Sequence, residues 1–384
     1  MTLSETYSDN FRLSSSNKAD NFRSMITPGL LLGINTVKTR GTISANFGAA
    51  HDSINRNEDV KYFPSAVVQL KHAFDPRLSL SLVDAFSRSD EPALANQFGL
   101  TQQRRIFISN TLGLSADWLL DLLAIQGYYR LSTFSSSATD TVAHIGGADV
   151  GIPLGPLMAV KAGYEYSSVH TSGTTRRDSE GHVAWASVVR QISPFRSVGV
   201  MGSYSLQSLD NTRIWNASVF NTFKLSEWLS LSGDIGYSVL TSDSGREFST
   251  VTSHTTATYR FANAFISVAI LSDFNQTFLQ GQDFGTTLTR SYTGTFGYAP
   301  TPFIDATLRV SYSENRFTGV GNSATRPESK ALTGTAGVAW RLQRWLTLGL
   351  DYTYHQYIHG FTSGGASGGT ASENRAAVRL TASF

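Results

Sequence analysis

The stretch FKLSEWLSLSGDIGYS, residues 223–238, decides the fold. It reads as one strand arriving, a tight turn at Ser226–Glu227 and a second strand leaving. Along the outgoing strand Leu229, Leu231, Gly233, Ile235 and Tyr237 fall on one face, and Ser230, Ser232, Asp234 and Gly236 on the other. A period of two with one apolar and one polar face is the signature of a strand between two different environments.

The unit recurs. HAFDPRLSL begins at His72, GLSADWLLDL at Gly113 with a turn expected at Ala116–Asp117, and RQISPFRSV at Arg190. YRFANAFISV begins at Tyr259, YAPTPFIDATL at Tyr298 and WRLQRWLTL at Trp340. An aromatic follows the turns: Trp118, Phe195, Trp228, Phe265, Phe303 and Trp345. These residues, with the terminal Phe384, keep a period of roughly 38 residues, the first interval spanning two periods. A propeller blade has a similar period but packs four short strands into it. Here each period holds two strands of about 14 residues, a short turn and a longer loop, the layout of an up-and-down barrel.

Composition selects the kind of barrel. Of 384 residues, 41% are hydrophobic and 16% charged, whereas soluble domains carry about 25% charged residues. No apolar run approaches the ~18 residues of a transmembrane helix. A membrane barrel places apolar residues on alternate positions only and so builds no such run. A soluble sandwich would need its faces arranged the other way. The expected fold is all-β: a single antiparallel transmembrane barrel over residues 1–384, with about 20 strands (range 16–22), short periplasmic turns and longer extracellular loops.

Cysteine is absent, which removes disulfides, thiolate metal sites and covalent haem; no cofactor and no metal are expected. The net charge of +2 leaves no nucleic-acid footprint. The opening MTLSETYSDN lacks the basic and apolar regions of a signal peptide, so the chain is read as the mature form of a bacterial outer-membrane protein.

Taking the apolar set as lipid-facing assigns the alternate set to the lumen. Arg40, Lys71, Lys161, Arg190, Lys224, Arg260, Arg309, Arg341 and Arg379 then form a basic belt near the turn end. The lumen carboxylates are Glu165, Asp234, Asp305 and Asp351. Such a belt favours anions. The competing reading is cross-strand pairing, with Arg341 to Asp351 and Lys161 to Glu165, which would leave little net field. The turn aromatics Trp118, Phe195, Trp228, Phe265, Phe303 and Trp345 are expected in an interfacial girdle. In the last strand Ala376, Val378, Leu380, Ala382 and Phe384 share a face, and Val378, Leu380 and Phe384 read as the insertion signal addressed to the barrel-assembly machinery.

No G-x-S-x-G, H-E-x-x-H or phosphate loop is present, and no enzyme is expected. His355 and His359, four apart on a strand, stand too far apart to grip one metal. His182 and His254 are read as loop-side lumen or rim residues, and Arg176–Arg177 as a solvated loop or a contact with lipopolysaccharide phosphates.

Ser4-Glu5-Thr6-Tyr7-Ser8-Asp9-Asn10, followed by Ile26-Thr27-Pro28-Gly29, resembles the opening of the beta-barrel porin 2 family of outer-membrane proteins. The resemblance implies a passive channel serving export of a surface polysaccharide and supplies no catalytic residues. The expected function is an outer-membrane channel for a hydrophilic solute or exported polysaccharide, in contact with membrane lipid and lipopolysaccharide. The alternative is a structural sheath holding a lipoprotein or electron carrier in its lumen.

Overall fold

The computed structural model describes residues 1–14, 17–55, 60–90, 106–137, 139–173, 177–208, 211–243, 245–279, 282–317, 328–358 and 370–383. The first strands are β1 (Thr2–Ser8), β2 (Asn21–Thr27), β3 (Gly29–Asn35), β4 (Thr39–Asp52), β5 (Lys61–Ala73), β6 (Leu78–Ser89) and β7 (Phe107–Leu119). They are followed by β8 (Ala124–Ser136), β9 (Thr139–Pro153), β10 (Met158–Gly173), β11 (Arg177–Ser193), β12 (Arg196–Gln207), β13 (Thr212–Lys224) and β14 (Leu229–Thr241). The last are β15 (Glu247–Arg260), β16 (Ala264–Leu279), β17 (Gln282–Thr301), β18 (Ile304–Phe317), β19 (Glu328–Gln343), β20 (Leu346–Ile358) and β21 (Ala371–Ala382).

Apart from β2, which pairs with β4 and not with β3, each strand pairs antiparallel with its successor, and β1 also pairs with β21, so the sheet closes on itself. β2 and β3 are two halves of one wall strand, both lying along β4. Pro28 separates them because it has no N–H for the ladder. The ladder resumes across the break, where the Phe47 N–H donates to the Pro28 carbonyl at 3.0 Å. The wall is therefore a closed, 20-stranded, antiparallel up-and-down barrel. Closure leaves no exposed sheet edge. With strands ~4.8 Å apart and tilted ~40°, the backbone is on the order of 40 Å across.

Four of the short turns share a local device. A side-chain oxygen at the start of the turn accepts from the backbone N–H two residues on: Asp75 from Arg77 at 2.7 Å, Ser193 from Phe195, Ser226 from Trp228 and Thr301 from Phe303. The turn expected at Ala116–Asp117 lies later. Leu120 donates to Leu123 at 2.7 Å there, and Asp117 is a residue of β7.

Cross-strand partners share a face, so the register carries one face around the whole wall. The inner face is fixed by side chains that meet from non-adjacent strands: Arg23 of β2 reaches Asp90 beyond β6, and Thr212 of β13 meets Thr286 of β17. Following the register from Arg23 puts Asp52, Lys71, Asp117, Glu165, Asp234, Arg309 and Arg379 on the same inner face. The outer face carries Leu30, Leu32, Leu80, Leu114, Val200, Val219, Ile235, Val268, Leu308, Val338, Leu350 and Val378, all well exposed. An oily exterior around a polar interior is the reverse of a soluble protein, and it is the pattern of a membrane-spanning barrel.

The barrel is unequal along its axis. Among the described residues, every buried side chain except Ser187 and Ser218 lies in the loop-side half of its strand or in a loop. The loop after β1 turns inward, so Leu13 packs on Ala331 and Tyr357. The β15–β16 ladder stops at Ser253↔Ser272, and above that level the tip of the β16–β17 hairpin leaves the wall and leans over β13 and β14. The buried side chains on the inner face there are mostly small and polar, Ser218, Ser238, Thr212, Thr250 and Thr252, with Leu240 the large apolar one among them. The loop end is thus drawn in and packed, while the turn end stays open.

Candidate functional site

The lumen is the candidate site, and it has two zones. In the packed loop-side zone the Arg23 guanidinium forks onto two carboxylates. Its Nε and Nη2 lie 2.7 and 2.9 Å from Asp52, and its Nη1 and Nη2 lie 2.9 and 2.6 Å from Asp90. Asn21 and Lys61 complete Asp52 at 2.8 and 3.2 Å, and the rings of Phe11 and Phe63 stand 5.2 and 5.4 Å from the guanidinium carbon. Paired forks of this kind combine the strongest hydrogen bonds with fixed geometry. This cluster is invisible to the alternation pattern, because it depends on three strands and two loops converging.

The open zone holds most of the residues named from the sequence. Register places Arg40, Lys71, Lys161, Lys224, Arg260, Arg309, Arg341 and Arg379 on the inner face, all exposed to the lumen. Glu165, Asp234, Asp305 and Asp351 share that face. Arg190 does not. Its strand partners are Met158 and Val198, and Lys161 pairs with Ser187, so Arg190 falls on the outer face with Val188. The cause is legible in β11: HVAWASVVRQ is apolar on both faces and gives no clear alternation.

Pairing differs from the two pairs weighed above. Asp351 takes Arg379 at 2.6 Å rather than Arg341, whose Nη1 instead faces the Pro302 carbonyl at 3.5 Å. Glu165 accepts from the Tyr128 hydroxyl at 2.7 Å rather than pairing with Lys161. Lys71 stands 3.8 Å from Asp117, a lumen carboxylate where the sequence predicts a turn; Gln126 and Ser79 also donate to Asp117. Asp149 is a further inward carboxylate not anticipated. His254 stands between Asp234 and Asp273, with Nδ1 at 3.2 Å and Nε2 at 3.3 Å. Among the described residues Arg40, Lys161, Lys224, Arg260 and Arg309 have no carboxylate within ion-pair distance.

Of the aromatics, Trp118 is on the outer face beside Leu114, and Phe195, Trp228, Phe303 and Trp345 are exposed in the turns. Phe265 is a correction. It pairs directly with Arg260 and lies over Gly297, so it faces the lumen. Val378 and Leu380 are on the outer face, while Phe384, His359 and Arg176 lie outside the described residues. His182 is also on the outer face, its Nδ1 2.6 Å from the Tyr164 hydroxyl, whereas His355 faces inward against Thr333.

Wall and lumen together define a large transmembrane β-barrel with a polar inner face. Comparison with solved structures gives the same fold. The ferric enterobactin receptor PfeA of Pseudomonas aeruginosa aligns with a TM-score of 0.54 at 11% identity, covering 100% of this chain and 80% of that one. The siderophore receptor PirA of Acinetobacter baumannii aligns at 0.52 and 8%, covering 99% and 80%. The FrpB iron transporter of Neisseria meningitidis aligns at 0.52 and 11%, covering 98% and 80%. No protein-family model and no curated protein sequence matches the chain.

Proposed function

We propose that the protein is an outer-membrane channel whose open end takes a hydrophilic solute or a surface polysaccharide from the periplasm. The observation that carries the reading is the excess of unpaired cations in the open zone. Arg40, Lys161, Lys224, Arg260 and Arg309 are exposed on the inner face without a carboxylate partner among the described residues, inside a wall whose exterior is oily. A ring of fixed positive charge in a lumen lowers the energy of anionic groups there and raises that of cations. The funnel shape supports the direction, since a wide vestibule on the turn side admits a large substrate to a narrow, hydroxyl-lined mouth. The N-terminal resemblance to porin 2 proteins points the same way, and the aligned FrpB structure, an iron transporter, lends support to a transport role in general.

The test is conductance of the purified protein in planar bilayers under a salt gradient. A steady conductance whose reversal potential reports anion preference supports the reading. A silent barrel that co-purifies with a stoichiometric partner overturns it in favour of a sheath.

A further inference from the structure

Four aromatic side chains stand on the inner face of the open zone: Tyr128, Trp185, Phe220 and Phe265. Each is laid over a glycine of the adjoining strand. A β-carbon placed on Gly163 would stand 2.6 Å from Cε2 and 2.7 Å from Nε1 and Cζ2 of Trp185, so the glycine meets the face of the indole. Gly147 lies under Tyr128, 2.5 Å from Oη and 2.6 Å from Cζ by the same measure. Gly199 lies under Phe220, and Gly297 under Phe265. Tyr128 is also pinned at its hydroxyl by Glu165.

The consequence is a set of rings pressed down on one face and open on the other. Tyr128, Trp185 and Phe220 are half-buried and Phe265 is 38% exposed. Among the described residues none of the four stacks on another ring or on a cation. The packed zone is different: Phe107 stacks on Phe134 with centroids 5.4 Å apart, and Phe11 and Phe63 flank Arg23. There the ring faces are consumed by packing; in the open zone they are presented to the lumen.

The seats follow the wall from β9 to β17. Gly163 is the partner of Asp149, two residues from Gly147, so the first two seats are about 8 Å apart. Between the rings the inner face carries the neutral Gln126, Met201, Ser203, Thr222 and Ser267 together with the charged Asp149, Lys161, Asp234 and Arg260. The opposite arc, β18 to β21 and on through β4 and β5, has cations in the open zone and no such ring.

We propose that this strip binds the pyranose rings of an oligosaccharide or polysaccharide strand. A pyranose presents C–H bonds on its faces and hydroxyls around its rim. The faces match flat rings exposed on one side, and the rim matches the amides and hydroxyls between them. An aromatic platform with a few convergent polar groups is the usual composition of a binding surface for such ligands. Flat stacking holds a strand weakly at each ring and lets it advance from one seat to the next. The proposal rests on the channel reading and deepens it by assigning the residues that hold a sugar strand.

The test is calorimetric titration of the full chain in detergent with maltohexaose and cellohexaose, neutral probes that the cationic belt does not attract. Polyethylene glycol of matched size is the control. Weak binding of at least one hexasaccharide is expected, with affinity falling about tenfold in Trp185→Ala and further in Trp185→Ala/Phe220→Ala. Gly163→Ala, which keeps every ring but lifts the indole from its seat, should weaken binding too; strand circular dichroism and heat-modifiable gel mobility confirm that each variant is folded. No hexasaccharide binding, binding equal to that of polyethylene glycol, or unchanged affinity in the folded double variant overturns the proposal. Conductance without sugar reports separately on the channel. Sugar binding by a silent barrel removes the channel and keeps the strip, and conduction without sugar binding does the reverse.

Discussion

Arg23 and Asp90 meet at 2.6 Å although Asp90 follows β6, three wall intervals from β2. A contact of that reach is possible only if the loop end of the barrel is drawn inward, and it secures the loop-side closure at one point. The same guanidinium holds Asp52, so removing it leaves buried Asp90 without an ion pair among the described residues and Asp52 with Lys61 and Asn21 alone. Breaking a buried pair from one side costs about 3–5 kcal/mol. Arg23→Ala is therefore expected to lower the unfolding free energy by about that amount in urea titrations in detergent. Asp90→Asn, which spares the Asp52 fork, should cost clearly less. Equal stability of Arg23→Ala and the wild type would contradict the clasp.

Thr212 and Thr286 supply a second fastening. Their hydroxyls are 2.9 Å apart, at the point where the β16–β17 tip leans over β13. The chain has no cysteine, so Thr212→Cys/Thr286→Cys introduces a single possible cross-link. Oxidised protein should show reduced conductance that dithiothreitol restores. A cross-link that forms and leaves conductance unchanged would show that the tip does not narrow the path.

The alternation of residues 229–237 was enough to read the barrel, because one face meets hydrocarbon and the other water along its whole length. The tight turns were legible for a related reason: Asp75, Ser226 and Thr301 each open a turn with an oxygen that caps it. The aromatic period predicts a girdle position for Phe265, whereas strand pairing turns it inward. Arg260 and Phe265 are antiparallel partners, so an inward Arg260 requires an inward Phe265. Arg190 failed because β11 is apolar on both faces. The Arg23 cluster and the leaning hairpin could not be read, since they depend on strands far apart in sequence.

The unpaired cations give a charge prediction. Lys161, Lys224 and Arg309 are exposed on the inner face. Lys161→Glu/Lys224→Glu/Arg309→Glu should move the reversal potential towards cation preference, and the effect should shrink as salt rises, because screening shortens from about 10 Å at 0.1 M to 3 Å at 1 M. An unchanged reversal potential at low salt would remove the belt from the account.

The lipid-facing assignment predicts opposite tolerances for neighbours. Leu231 and Ser232 are adjacent but face opposite ways. Leu231→Arg should destabilise the folded barrel in lipid by about 2–4 kcal/mol if it lies near the bilayer midplane, whereas Ser232→Arg should cost little. Comparable losses in reversible unfolding from lipid vesicles would argue against the assignment.

Single cysteines placed in turn at residues 230, 231, 232, 234 and 235 test the central claim most directly, because each would be the only thiol in the chain. In vesicle-embedded protein, positions 230, 232 and 234 should react with a membrane-impermeant thiol reagent, while positions 231 and 235 should be reached only by a lipid-soluble one. Uniform labelling along the strand, or labelling with the two sets exchanged, would contradict a wall with hydrocarbon outside and water within.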